Sequence, residues 1–313
     1  MRLRRFLLVL VLAGCSPVKQ VPVEAEAQAL VKAGSPGAVV YVADGGQVWQ
    51  AAAGQAEPGM PLRTDHRFRI ASITKTFTAT LLARRIRAGE LSLTDRVDRL
   101  LPGVTTSTAT VGDLARHTSG LRDYLRSTEF VRTMSADGNH LKEWTPEQLI
   151  AFAGEPGRPG GAFAYSNTNY ILLGMILEKL ARKPYREQIA EFGLPDTELP
   201  AALLPDRLAH GTHLDGSDGT TDASASLYFS AGGLVSTVAD IAAFYRALPP
   251  IDYGIFTERL SCGVEVHSHS GMLLGYSGIA LVTPDRRRVV VVQLNSSHAG
   301  SAIAAGHRLM CAL

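Results

Sequence analysis

The sequence predicts an α/β (α+β) fold: an antiparallel sheet flanked by helices, an inserted and mainly helical domain beside it, and a site in the cleft between the two. Three observations carry this expectation. A hairpin signal stands near the N-terminus, two more strands with their own turn stand near the C-terminus, and the residues between them follow a helical period.

Residues 37–54 read GAVVYVADGGQVWQAAAG, two β-rich runs on either side of Asp44-Gly45-Gly46. From 72 to about 225 the pattern is mostly helical. Ile73, Phe77, Leu81, Leu82 and Ile86 keep a helical spacing, and Gly89 supplies a stop. Thr110-Val-Gly-Asp113 and Thr145-Pro-Glu-Gln148 read as capping boxes, the second with proline at the first helical position. Residues 166–183 form a long apolar helix around Ile171, Leu172, Met175, Ile176 and Leu180. Thr237-Val-Ala-Asp240 caps another helix, which ends near Leu248 before Pro249-Pro250. Strands then return. Residues 264–270 alternate, 276–283 and 288–295 flank Pro284-Asp285-Arg286, and 299–312 close as a helix. Pairing the terminal strands gives a sheet domain of 31–71 with 229–313 and a helical domain of 72–228, behind a 1–14 leader and a 15–30 tether that runs into the first helix.

Of the 313 residues, 46% are hydrophobic and 19% charged, the balance of a globular chain with a sizeable core. The formal charge is +2, but Arg2, Arg4 and Arg5 belong to the leader; without these three, 28 basic residues face 29 acidic ones. A net of −1 argues against nucleic acid as a partner.

Within FRIASITKTFTAT, at 68–80, Lys75 is the only charge between Arg69 and Arg84. An ammonium on a buried helix has its pKa pulled down, and a lysine so lowered can accept a proton. Ser72 lies one helical turn earlier on the same face, about 5–6 Å away between Cβ atoms. That pair is a way to make a nucleophilic serine. Spacing alone is weak, since 21 serines and 6 lysines in this length give about 0.4 Ser-x-x-Lys matches by chance. A second match, Ser16-Pro17-Val18-Lys19, falls in the tether and is a decoy.

The chain opens MRLRRFLLVLVLAGC. Three arginines precede an apolar run far shorter than the ~20 residues of a membrane span, so it reads as an export signal. Its end, Leu12-Ala13-Gly14-Cys15, resembles the lipobox of bacterial lipoproteins, which implies cleavage before Cys15, lipidation of its sulfur and a chain anchored on the extracytoplasmic side of a bacterial membrane. Export permits a disulfide between Cys262 and Cys311; two buried thiols are the alternative.

Two further segments carry polar groups where acyl transfer needs them: Tyr165-Ser166-Asn167 ahead of a helix and His269-Ser270-Gly271 near a strand end, followed by Met272 and Gly275-Tyr276. Ser-x-x-Lys, Ser-Asp-Asn and Lys-Thr-Gly occur together as one set. Here the order is the same, with Tyr for Ser in the second triplet and His for Lys in the third. From about residue 30 onward the chain resembles the serine β-lactamase/penicillin-binding superfamily in its class C-like branch, which includes class C β-lactamases, exported D-Ala-D-Ala carboxypeptidases and family VIII-type esterases. Leu114-Ala-Arg-His-Thr-Ser-Gly-Leu121 and Ser230-Ala-Gly-Gly-Leu-Val-Ser-Thr237 support it. The His at 269 and the placement of Cys262 and Cys311 look carboxypeptidase-like, and no Glu-x-x-Leu-Asn segment offers a class A-type glutamate.

The resemblance implies a β-lactamase-like fold and these roles. Ser72 becomes the acyl-enzyme, and Lys75 and Tyr165 share the transfer of its proton to the leaving group. Asn167 holds a substrate amide. His269 sits beside Tyr165 and, when protonated, favours a substrate carboxylate, which Ser270 hydrogen-bonds ahead of Gly271. The N–H groups of Ser72 and Met272 form the oxyanion hole.

The expected substrate is a small molecule or peptidoglycan peptide, cut as a D-alanyl amide; an ester or a β-lactam is the alternative on the same site. A non-catalytic envelope-binding protein is a third reading, though a binder needs none of Ser72, Lys75 and Tyr165. No Gly-x-Ser-x-Gly elbow marks an α/β-hydrolase. No cofactor is expected, and no metal, because His267 and His269 share a strand face without an evident third ligand.

Overall fold

Asp44-Gly45-Gly46 turns the chain between β1 (Gly37–Asp44) and β2 (Gln47–Glu57), with Gly45 at φ +60°, a backbone region open to glycine. This computed structural model describes residues 21–136, 138–213, 215–297 and 299–313; the leader, the decoy Ser16–Lys19 and the lipidation candidate Cys15 lie outside the described residues.

The remaining strands are β3 (Met60–Pro61), β4 (Phe68–Arg69), β5 (Val235–Ser236), β6 (Phe256–Arg259), β7 (Glu265–Leu273), β8 (Tyr276–Val282) and β9 (Arg288–Leu294). Seven of them form one antiparallel sheet in the order β3-β2-β1-β9-β8-β7-β6, and β4 pairs with β5 apart from it. The two ends of the chain meet where β1 pairs with β9, Val40 opposite Val292.

Both faces of the sheet are covered, which explains why β9 reads RVVVVQL rather than alternating with polar residues. Val40, Val42, Ile279, Leu281, Val290 and Val292 pack under α1 (Val23–Lys32) and α11 (Ala299–Cys311). Their neighbours Val39, Ala43, Ala280, Val282, Val289 and Val291 pack into the larger core on the other side. Cys262, in the β6–β7 turn, is disulfide-bonded to Cys311 at the end of α11, with Cα atoms 5.9 Å apart.

Between β4 and β5 the chain forms α2 (Thr74–Arg87), α3 (Val97–Leu100), α4 (Val111–Ala115), α5 (Thr128–Met134), α6 (Pro146–Ala151), α7 (Asn167–Ala181), α8 (Tyr185–Ala190) and α9 (Phe229–Gly232); α10 (Val238–Arg246) follows β5. Both expected capping boxes form, at Thr110/Asp113 and Thr145/Gln148, and Thr237 caps α10. One expectation needs correction. Among the described residues of 191–224 there is no helix. Pro195, Pro200 and Pro205, with Gly193, Gly211, Gly216 and Gly219, interrupt every stretch long enough to start one.

The helix that follows Ser72 is held on all sides. Phe77 stacks on Phe244 of α10, ring centroids 3.7 Å apart, and meets Phe192 edge-on. Truncating such a buried ring costs about 3–5 kcal/mol. Buried threonines on α2 are satisfied locally or by α9: Thr76 donates to Ile73 O at 2.8 Å and Thr78 to Ser230 O at 2.7 Å. Among the described residues, no helix is long and apolar enough to cross a membrane.

Candidate active site

Ser72 sits in a 3-10 turn, Ala71–Ile73, that leads into α2. Ala71 holds φ at +49°, a left-handed value that costs a non-glycine residue roughly 1–3 kcal/mol and persists only where the surroundings fix it. Strand β7 does so. A Cβ at Gly271 would lie 2.3 Å from Ile70 O and 3.1 Å from Ala71 Cβ, so only glycine lets the strand come this close. Met272 is the next residue along β7.

Lys75 follows on the buried face of α2. Its ammonium has three donors and three acceptors: Ser72 Oγ at 3.2 Å, Asn167 Oδ1 at 2.8 Å and Ala231 O at 2.7 Å. Burial pulls its pKa down to about 7, and the Asp123 carboxylate only partly offsets that. Tyr165 donates its O–H to Ser72 Oγ at 2.9 Å. Burial pushes the Tyr165 hydroxyl up to about 12, so it stays protonated near neutrality, and of the two groups Lys75 is the better base.

The rest of the second triplet serves this pair. Asn167 opens α7 and donates through Nδ2 to Asp123 Oδ2 at 2.9 Å, which links a carboxylate to Lys75 through one amide. Ser166 donates its N–H to His117 Nδ1 at 3.2 Å. The His117 ring stacks on Tyr165, centroids 4.5 Å apart and 26° between planes. Asn169 Nδ2 also lies against His117 Nδ1, at 3.1 Å, and receives the Ser119 hydroxyl on its Oδ1 at 2.5 Å. With donors converging on Nδ1, the imidazole is neutral with its proton on Nε2, in line with a pKa that burial and the Lys75 charge push down to about 3. His117 holds φ +58°.

The third triplet lies on β7. Strand β6 covers only Glu265–Ser268 of it while β8 pairs as far as Leu273, so 269–273 presents an open strand edge. Ser270 is half-buried there and the Met272 side chain is 61% exposed. His269 is buried, and its Nδ1–H donates to Ser270 O at 2.7 Å, because a carbonyl oxygen can only accept. Burial, then the Lys75 charge, push its pKa down to about 3. With its pKa held that low, the imidazole is uncharged near neutral pH and its Nε2 is an acceptor, so the attraction for a carboxylate expected of a protonated His269 is confined to acid pH. Tyr276, after the Gly275 turn, points into the core and donates to Ala209 O at 2.8 Å. His267 lies against Thr257 Oγ1 at 3.0 Å, and among the described residues no group of three or more His, Cys, Asp or Glu could hold a metal ion.

Sequence reasoning assigned no role to His117, Asn169 or Asp123. His117 lay within the Leu114–Leu121 stretch, and only the fold shows what it touches.

The beta-lactamase family model matches residues 23–261. Penicillin-binding protein 4* of Bacillus subtilis (strain 168) is 32% identical over 177 residues, 54% of this chain and 37% of that protein. A D-aminopeptidase of Cereibacter sphaeroides is 28% identical over 315 residues, 88% of this chain and 60% of the other. The crystal structure of a D-stereospecific amidohydrolase from Streptomyces sp. superposes with a TM-score of 0.80 at 31% identity, covering 90% of this chain and 96% of that one. The chain thus spans between about a third and three fifths of the length of these two curated relatives.

Proposed function

This chain belongs to the beta-lactamase family, and from that premise we propose that it is a serine hydrolase that works through an acyl-enzyme on amides or esters of D-amino acids. The convergence of Lys75 and Tyr165 on Ser72 Oγ, at 3.2 and 2.9 Å, carries the reading. Neutral Lys75 takes the Ser72 proton as Oγ attacks the carbonyl carbon. The oxyanion is met by the N–H groups of Ser72 and Met272. Tyr165 gives its proton to the departing atom and is restored at the expense of the Lys75 ammonium. Water then cleaves the ester.

Substrate charge follows from what flanks this core. A carboxylate, Asp123, is hydrogen-bonded to Asn167, while His269 carries no charge to hold an anion. That polarity suits a free α-ammonium on the acyl side, and the D configuration comes from the amidohydrolase and aminopeptidase named above. The test is kcat/KM on D-alaninamide, L-alaninamide, N-acetyl-D-alaninamide and an N-acyl-D-Ala-D-Ala peptide. We expect D-alaninamide to lead, with N-acetylation costing about 10²-fold, the scale of a lost charge-assisted hydrogen bond. A preference for the N-acyl-D-Ala-D-Ala peptide would replace this reading with a carboxypeptidase.

The N-terminal Leu12-Ala13-Gly14-Cys15 supports a second proposal, a lipid anchor at Cys15 that holds the enzyme at the extracytoplasmic face of a membrane. Expressed from its first residue, the protein should enter the detergent phase, and Cys15→Ser should release it or block processing. Unchanged membrane association of that variant would count against the anchor.

A further inference from the structure

Five rings form a chain of contacts that starts at Tyr165. His117 stacks on Tyr165. Phe163 meets His117 edge-on with centroids 5.6 Å apart, Phe256 meets Phe163 at 6.3 Å and 70°, and His269 meets Phe256 at 5.2 Å. The chain crosses from the segment before α7 to strand β6, so its two phenylalanines bridge the helical and the sheet sides of the molecule. Their backbones are held: Ala164 N donates to His117 O at 2.8 Å, Gly160 N to Thr118 O at 2.9 Å, and Phe256 pairs with Ser268. The two histidine rings, His117 and His269, are buried, yet Phe163 is 57% and Phe256 43% exposed. Two large aromatic rings that pack on one another and still keep much of their surface open to solvent, in a chain of contacts that ends on the tyrosine facing the nucleophile, form an exposed apolar patch.

We propose that Phe163 and Phe256 form the leaving-group subsite, and that the enzyme prefers substrates whose departing amine or alcohol carries an aromatic ring one or two atoms beyond the scissile bond. The inference rests on Ser72 as nucleophile and Tyr165 as the proton donor of the reading above. The leaving atom must reach the Tyr165 hydroxyl to take its proton, and this places its substituent toward the ring chain that packs on Tyr165. The Ser72 Oγ–carbon bond forms, the carbon–leaving-atom bond breaks, and the proton lost by Ser72 is balanced by the one gained by the leaving group. Offset or edge contact with two rings favours an aromatic substituent over an alkyl one of equal reactivity.

The test is the ratio of kcat/KM for a benzyl ester to that for the methyl ester of the same acid. The two alcohols leave with nearly equal ease, and kcat/KM reports steps only up to acylation. Two acyl groups, D-alanyl and acetyl, are measured in the wild type, Phe163→Ala, Phe256→Ala, the double variant and Phe256→Tyr. The wild type should favour benzyl by about tenfold or more, and each alanine variant should lower the ratio about three- to tenfold. The double variant should fall short of the product of the single effects, because the rings touch, and Phe256→Tyr should keep the preference. A ratio unmoved by all three alanine variants overturns the subsite. Turnover of acetyl but not D-alanyl esters would remove the D-amino acid reading while the acetyl pair still reports on the subsite; turnover of neither ester by folded wild type would overturn both.

Discussion

The two flanks of the site are built differently. On the helical flank, Ser72, Lys75, Tyr165 and Asn167 are joined by short hydrogen bonds, and Lys75 has every donor engaged. On the strand flank, residues 269–273 of β7 offer an open edge, a half-buried Ser270 and an exposed Met272, with His269 bonded back to its own strand. One side has little freedom and a lowered lysine pKa; the other has exposed surface. On the proposed mechanism the contrast separates proton transfer, held by the helices, from substrate recognition, which falls to the strand edge and the rings near it.

The sharpest way to break that contrast is to strike each flank once. Lys75→Met removes the base while keeping an unbranched side chain, and should lower kcat/KM about 10³-fold, within the range of general-base catalysis. Ser270→Ala should cost less than about tenfold, the scale of one hydrogen bond, and mostly through KM. Equal losses in kcat would erase the distinction.

Away from the site, the Cys262–Cys311 disulfide ties the β6–β7 turn to α11 across a separation of 49 residues. Replacing both cysteines with serine should destabilise the fold by about 4 kcal/mol in the chain-entropy account, read as a lower urea midpoint. Acylation of Ser72 at 25 °C should be nearly unchanged. A large catalytic loss without unfolding would mean that the strand flank depends on the far face of the sheet.

Acid should weaken both flanks together. His117 and His269 are neutral when folded, with pKa pushed to about 3 against an ordinary value of 6.5. Between those values the unfolded chain binds more protons, so stability is complete above pH 6.5 and is lost as pH falls toward 3, by up to about 1.4 kcal/mol per pH unit for each histidine. Urea midpoints at pH 7, 5 and 4 measure it. His117→Asn should flatten the slope, and an unaltered slope would mean that His117 is not held neutral.

The smallest effect sharpens the helical flank. kcat/KM should rise as pH passes about 7, because the base form of Lys75 is required. Asn167→Ala removes an acceptor that favours the ammonium and breaks the link to Asp123, so the rise should move to lower pH by about 0.5–1 unit. Movement to higher pH would contradict the polarity assigned to that bond.

What could be read in the sequence was local. Capping boxes at Thr110 and Thr145, the turn at Gly45 and the three ordered triplets each depend on residues within a few positions of one another, and each took its expected place in the fold. Lys75, by contrast, stood in the sequence with no acid nearby, and its carboxylate neighbour comes from Asp123, 48 positions later, through Asn167. The charge of His269 depends on burial, which no spacing encodes. Phe163 and Phe256 have no shared pattern and meet only because β6 and the segment before α7 are brought together by the fold. The lack of helix among the described residues of 191–224 is legible in the prolines and glycines that interrupt them.

The central claim, that the helical flank makes Ser72 the nucleophile, is tested most directly by labelling folded protein with a fluorophosphonate, then by intact-mass analysis and peptide mapping. The account predicts one adduct, on Ser72, formed at least 10²-fold more slowly in Lys75→Met, as expected for loss of a general base, and with little delay in Ser270→Ala. An adduct on Ser166 or another serine, or no adduct on folded protein, would contradict it.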